Sequence, residues 1–334
     1  MTEFSSTVLF AADAHAEAPL NYLHASGQKA EAVLGLTWGV LGIAVTVIIV
    51  IALLLCAAIW RRPGLPSPAP GEQMALSRSM SGLNWLWIGV SISSIALLIS
   101  VIWTMRVLAN IAHPFAPPAV SIEVTAHQWW WQVRYLNDDA SQIFTTANEI
   151  HVPAGAPVHV KLVGADVIHS FWVPALTGKT DVIPGQTSEL WMDARSPGIY
   201  RGQCTEYCGV EHAHMSLLVI AQKPKDFENW RTHQLQTQNG TISGLMERGQ
   251  ADFTTHCGSC HTVRGTDAAG ILGPDLSHLM TRKTIAAGTL PNDGEHLLEW
   301  ISDPQAIKPG ALMQKPQLSS DDLKAVYAYL QTLN

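Results

Sequence analysis

Four of the five cysteines fall into two pairs, and the residues around each pair set the chemistry open to this chain. The first pair lies in Cys204-Thr205-Glu206-Tyr207-Cys208-Gly209-Val210-Glu211-His212-Ala213-His214-Met215, with the spacing C-x3-C-x3-H-x2-M. Two thiolates, an imidazole and a thioether in one loop form a soft donor set, and such sets suit copper in electron transfer. A single cysteine would point to a mononuclear site. Two can bridge a pair of copper ions that shares one electron of redox change. Such a pair needs a second imidazole, and His169 in Asp166-Val167-Ile168-His169-Ser170-Phe171-Trp172 is the natural candidate. A disulfide between Cys204 and Cys208 in an oxidising compartment is the alternative. It would not require His212 and Met215 at their offsets.

The second pair is Cys257-Gly258-Ser259-Cys260-His261. C-x-x-C-H is the attachment signature of a c-type haem, with both thiols as thioethers and the histidine as an axial ligand. A thioredoxin-like redox motif would need a preceding strand. Zinc would need a second C-x-x-C or an H-x3-H partner, and neither is present. The sixth iron ligand should be Met or His. Cys56 stands apart, in the middle of an apolar run, and is given no role.

Elements of two kinds must position these residues. From Val120 onward, β-rich runs at 120–124, 132–135, 148–152, 158–162, 188–191 and 217–221 are separated by turn signals such as Pro-Ala-Gly (153–155) and Ser-Pro-Gly (196–198). Short strands at this spacing suggest a sandwich or small barrel. Residues 223–243 are polar and read as a linker. Beyond them the pattern turns helical, with helices expected over 246–256, 294–302 and 320–333, the last with an N-cap signature at Ser319 and Ser320.

The N-terminal third has a different composition. Charged residues are 14% of the chain, against roughly 25% in an ordinary soluble protein. No Asp, Glu, Lys or Arg occurs between Glu31 and Arg61, nor between Arg78 and Arg106. About 18 uncharged apolar residues suffice to span a bilayer, so both stretches read as membrane helices. Trp60, Trp85, Trp87 and Trp103 lie at their ends as an interfacial belt. The intervening loop carries Arg61, Arg62 and Arg78 against Glu72, so the positive-inside rule puts it in the cytoplasm and both termini outside. The N-terminus has no basic region of the kind that opens a cleaved signal peptide. The net charge of −7, without a basic run, excludes nucleic acid as a partner. The expected organisation is an extracytoplasmic segment (1–30), a two-helix transmembrane hairpin (31–112), a cupredoxin-like β-barrel (113–222), a linker (223–243) and an all-α cytochrome c domain (244–334).

The run from Ala147 to Met215 resembles subunit II of the haem–copper cytochrome c oxidases, whose Cu(A) motif has the form C-x-E-x-C-G-x-x-H-x-x-M. The resemblance implies that Cys204 and Cys208 bridge two coppers, that His169 and His212 are terminal imidazoles, and that Met215 is a weak axial ligand. It gives Glu206 two roles, a backbone carbonyl on copper and a carboxylate on Mg at the interface with the catalytic subunit. Within Ala126-His127-Gln128-Trp129-Trp130-Trp131, Trp129 takes the position of the surface aromatic through which electrons arrive, while Trp130 and Trp131 read as packing residues. With a haem domain fused, that surface can receive the tethered domain in place of a visiting cytochrome. Met313 resembles the distal ligand of small cytochromes c, with Met280 as competitor, and Gly273-Pro274-Asp275-Leu276 resembles the loop lying against the proximal histidine.

The whole is similar to subunit II of a caa-type oxidase. That implies a bacterial inner (plasma) membrane subunit with both redox domains on the periplasmic side. It would take electrons from a cytochrome c or a quinol-oxidising complex and pass them to catalytic subunit I, with subunit III as a further neighbour. A nitric oxide reductase with a Cu(A)-carrying subunit is the rival within the class, and a membrane-tethered copper delivery or sensing protein the rival outside it. One position departs from the family. Many relatives place a Glu about three residues before a Trp at the start of the second span, where this chain has Asn84 before Trp87.

Overall fold

The computed structural model describes residues 20, 22–61, 80–113, 116–237 and 242–334. Most of the expected N-terminal segment, the loop charges Arg62, Glu72 and Arg78, and residues 238–241 of the expected linker lie outside the described residues.

Helices α1 (Gln28–Trp60) and α2 (Met80–Ala112) are each 33 residues long, about 50 Å at 1.5 Å per residue. Both are long and apolar enough to cross a membrane, with mean hydropathy of 3.2 and 2.2 over their most apolar windows. Four of their hydroxyl groups are satisfied internally: Thr37, Thr46, Ser100 and Thr104 donate to the carbonyls four residues back. A polar group in lipid has few other partners. Gly39 takes the Trp103 indole at close range, since a Cβ there would fall 2.2 Å from the ring. Small residues at helix contacts in lipid serve this purpose.

The β domain is a sandwich of two five-stranded sheets. One has the order β3 (Phe144–Ala147), β2 (Trp130–Leu136), β1 (Val120–His127), β5 (Val158–Gly164), β8 (Thr187–Met192). The other runs β4 (Glu149–Pro153), β10 (Ser216–Gln222), β9 (Gly198–Cys204), β6 (His169–Trp172), β7 (Thr180–Val182). Alternation along β1 buries Ile122, Val124 and Ala126, and β5 buries Val158, Val160 and Leu162. These meet Trp131, Phe171 and Leu217 in one core. Residues just before and at the start of α1 are tied to this sandwich: Ser26 and Gly27 donate to the Ala175 carbonyl, and the Gln28 amide donates to Asp193 Oδ1 at 2.9 Å.

The segment expected as a linker carries a helix, α3 (Pro224–Gln234), which packs on the sandwich. Its polar composition hides two anchors. Phe227 is buried, and Trp230 stacks on His151 with ring centroids 4.0 Å apart. Strand β4 is buried along its whole length because a second layer covers its outer face.

The C-terminal domain contains α4 (Leu245–His256), α5 (Gly294–Ser302), α6 (Pro304–Ile307) and α7 (Ser320–Leu330). It is not purely helical, since β11 (Thr284–Ile285) pairs with β12 (Leu290–Pro291). Helices α4 and α7 cross at Gly249, where a Cβ would lie 1.9 Å from the Ala325 carbonyl oxygen. Side-chain caps at Asp293 and Ser319 start α5 and α7.

Candidate functional site

Two strands and one loop assemble the first site. Cys204 ends β9 and pairs with Phe171 on β6, the strand that His169 begins. The Cys204 amide donates to the Met215 carbonyl at 3.0 Å, closing loop 205–215 at its neck. The Cys204 and Cys208 sulfurs stand 3.8 Å apart. His169 Nδ1 lies 3.8 Å from Cys204 Sγ and His212 Nδ1 3.5 Å from Cys208 Sγ. Met215 Sδ is 3.9 Å from Cys208 Sγ, and the Glu206 carbonyl oxygen is 3.3 Å from Cys204 Sγ. All six residues named from the sequence converge on one pocket, in which His169, Cys204, Cys208 and Met215 are buried. The donor chemistry and its convergence fit copper. Glu206 is exposed.

The thiols share a proton unequally. The hydrogen bond with Cys208 does most to hold the Cys204 thiol well below the usual thiol range, with His169 adding to it, while Cys208 is raised by the same contact. A cation between them is what would let both ionise.

From the sequence Asp166 only flanks the metal region, with a place at the subunit interface as its suggested role; in the structure it aims His169. Asp166 Oδ1 accepts the Nε2–H of His169 at 2.8 Å, which turns Nδ1 toward the sulfurs. The other carboxylate oxygen accepts the Gln128 amide at 2.6 Å, joining the imidazole to the segment before Trp129. An acid three residues before a histidine was the available signal, but only the start of β6 gives it meaning.

Trp129 is only 8% exposed, and part of its cover is the tethered domain that the fusion led us to expect there. Its indole N–H donates to the Cys208 carbonyl at 2.9 Å, and its ring lies between Gly209 and Gly310, where added Cβ atoms would come within 2.8 and 3.6 Å. Gly310 belongs to the C-terminal domain, so the covering comes from the fused domain itself. Trp131 is fully buried in the core, and Trp130 stacks on His127 at 4.5 Å.

The second site sits where α4 ends. The His261 and Cys260 amides both donate to the Cys257 carbonyl, folding C-x-x-C-H into a tight turn. Both thiols are free. Burial pushes the Cys257 thiol up to about 11. His261 Nδ1–H donates to the Pro274 carbonyl at 2.9 Å, which fixes the ring and leaves Nε2 for a metal. Gly273 lies flat against that ring, where a Cβ would be 2.6 Å from Cε1. These features fit a covalent haem. Met313 and Met280 both pack, half-buried, on the core of this domain.

Fold and pocket together define a cupredoxin-like copper domain followed by a cytochrome c domain. Residues 134–222 match the family described as cytochrome c oxidase subunit II, periplasmic domain, and residues 246–334 match cytochrome c. Cytochrome c oxidase subunit 2 of Alkalihalophilus pseudofirmus is 39% identical over 216 residues, covering 64% of this chain and 61% of the relative. That of Bacillus subtilis is 31% identical over 229 residues, covering 65% and 63%. The chain thus spans a little over three fifths of the length of these relatives. The periplasmic domain of subunit II from Bradyrhizobium japonicum is 31% identical, over 36% of this chain and 96% of that one, with a TM-score of 0.34. Residues 134–222 are thus a periplasmic domain of the cytochrome c oxidase subunit II family, and residues 246–334 a C-terminal cytochrome c domain.

Proposed function

We propose that this chain is the electron-input subunit of a caa-type terminal oxidase, with both redox domains on the outer face of a bacterial inner membrane. Loaded with a covalent haem and a two-copper Cu(A) centre, it would carry single electrons from an external donor toward a catalytic subunit that reduces dioxygen. Cys204 and Cys208 would bridge the coppers, with His169 and His212 as terminal imidazoles and Met215 and the Glu206 carbonyl as weak ligands. Cys257 and Cys260 would hold the haem, with His261 and Met313 on its iron. The exposed Glu206 carboxylate is free to bind Mg at the joint with catalytic subunit I, and subunit III would complete the neighbourhood.

One observation carries the reading. Six copper-type donors converge behind an indole bonded to Cys208, and a loop of the cytochrome domain lies on that indole. The protein's own part is to fix positions. Asp166 orients His169, Pro274 orients His261, and the buried pocket excludes water. Rigid ligands leave little to reorganise when an electron arrives.

Metal and haem analysis of the purified complex, with electron paramagnetic resonance, tests this. Two coppers and one haem per chain are expected, with a mixed-valence signal delocalised over both coppers. One copper with localised spin would sink the binuclear assignment. Oxygen consumption by the same preparation separates an oxidase from a nitric oxide reductase.

A further inference from the structure

Lys308 opens the segment that leads to Met313, yet its ammonium is buried, with the residue 3% exposed. Its three N–H bonds meet three backbone carbonyls: Trp129 at 2.7 Å, His214 at 2.6 Å and Ala286 at 3.1 Å. Two of these acceptors belong to the copper domain, one beside the covered indole and one between His212 and Met215. The third belongs to the cytochrome domain. A lysine has three donors and no acceptor, so this one is satisfied in full only when the two domains are together.

Two further contacts cross the same face. Glu149 on β4, 2% exposed, accepts the Lys283 amide at 2.7 Å and the Thr284 amide at 2.9 Å with one carboxylate oxygen. Ser216 on β10 donates to the Ala287 carbonyl through both its amide, at 3.0 Å, and its hydroxyl, at 2.9 Å. The turn that presents these carbonyls is strained. Ala286, Ala287 and Gly288 have φ of 52°, 59° and 77°. Two alanines in succession in the left-handed region persist only where surrounding contacts hold them. Here the carbonyls of both are held, by Lys308 and Ser216.

We infer that Lys308 is a positioning residue that latches the cytochrome domain in one fixed pose over Trp129, so that transfer between the two centres does not wait on the diffusion of a tethered domain. The inference rests on the relay reading above. A salt bridge at the rim could form and break with ionic strength, but buried, fully used donors aimed at carbonyls define a single register.

Hydrogen exchange on the assembled complex tests it without reference to activity. In the parent, the amides of Lys283, Thr284 and Ser216 should be protected; fast exchange at all three overturns the fixed pose with no variant needed. In Lys308→Met, which keeps the reach and loses the donors, these amides should exchange at least tenfold faster, while β5 and α7 exchange as in the parent. Unchanged exchange at the three amides overturns the role of Lys308. Acceleration that spreads equally to β5 and α7 overturns it too, because Lys308 would then be a general folding residue. Flash reduction of the haem supplies a second reading. The parent's haem-to-copper rate should be independent of solvent viscosity, and the variant's should be slower and fall with viscosity. A viscosity-dependent rate in the parent again overturns the latch. A parent whose haem never reduces the copper overturns the relay reading, and the latch with it, even where the amides are protected.

Discussion

Asp166 touches two parts of the copper pocket at once. One oxygen takes His169 and the Val167 amide, and the other takes the Gln128 amide. Asp166→Asn would place an amide NH2 where an acceptor is needed, and either His169 or Gln128 would lose its partner. Partners of this kind typically contribute 10–100-fold in metal affinity, so copper should bind roughly that much more weakly with haem content unchanged. Competition with a chelator measures it, and parental affinity in the variant would remove Asp166 from the site. On the haem side, Met313→Ala should abolish the Met–iron charge-transfer band. A band that survives passes the assignment to Met280. The candidate ligands could be picked out in the sequence because C-x3-C-x3-H-x2-M and C-x-x-C-H are local spacings. The task of Asp166 could not, because it depends on which ring nitrogen faces the sulfurs.

Helix α3 is held by an aromatic patch in which His151 stacks on Trp230, which also meets Tyr135 and Phe144. Burial, with a smaller push from Lys283 and against a hydrogen bond to Gln222, holds His151 down to about 4 from an ordinary 6.5. A depressed histidine stays neutral in the fold while the unfolded chain takes up a proton. Its contribution is therefore present above pH 6.5 and lost as pH falls toward 4. The shift corresponds to about 3 kcal/mol. Glu149 nearby is raised by burial and works in the opposite sense, so the comparison must be with a variant. His151→Phe keeps a stacked ring and cannot protonate. Its stability relative to the parent should rise by about 3 kcal/mol between pH 6.5 and 4, read from denaturant unfolding. A gap that ignores pH would refute the coupling. The strands that alternate, β1 and β5, were legible at this scale. Strands β6 and β9, which deliver His169 and Cys204, were not, since one has four residues without alternation and the other contains Gly198, Arg201 and Gly202. Strands β3 and β7 are shorter than the pattern can resolve, and α3 was hidden by its polar face.

At the scale of the whole molecule, domain order followed from composition, but the contact between the two redox domains could not. Glu149, Ser216 and Lys308 are separated by tens of residues, and nothing in their local sequence marks them as neighbours. That contact has a consequence for partners. In the two-domain arrangement Trp129 is covered by Gly310, so on the electron-input reading proposed above a soluble cytochrome would deliver its electrons to the haem domain and not to the indole. The copper domain has its own core, built from both sheets, so ending the chain at residue 243 should leave it folded. It should also uncover Trp129. The shortened protein, assembled in the membrane, should then have its copper reduced directly by a soluble cytochrome c at least tenfold faster than a full-length chain whose haem ligation has been disabled by His261→Ala. Stopped-flow absorbance at the copper band follows the reaction. Equal rates in the two proteins would mean that the covering loop opens faster than the donor arrives, and that the fused domain is an additional carrier and not a replacement for the docking site. A large difference would mean that fusing the haem moved the docking surface from the copper domain to the cytochrome domain.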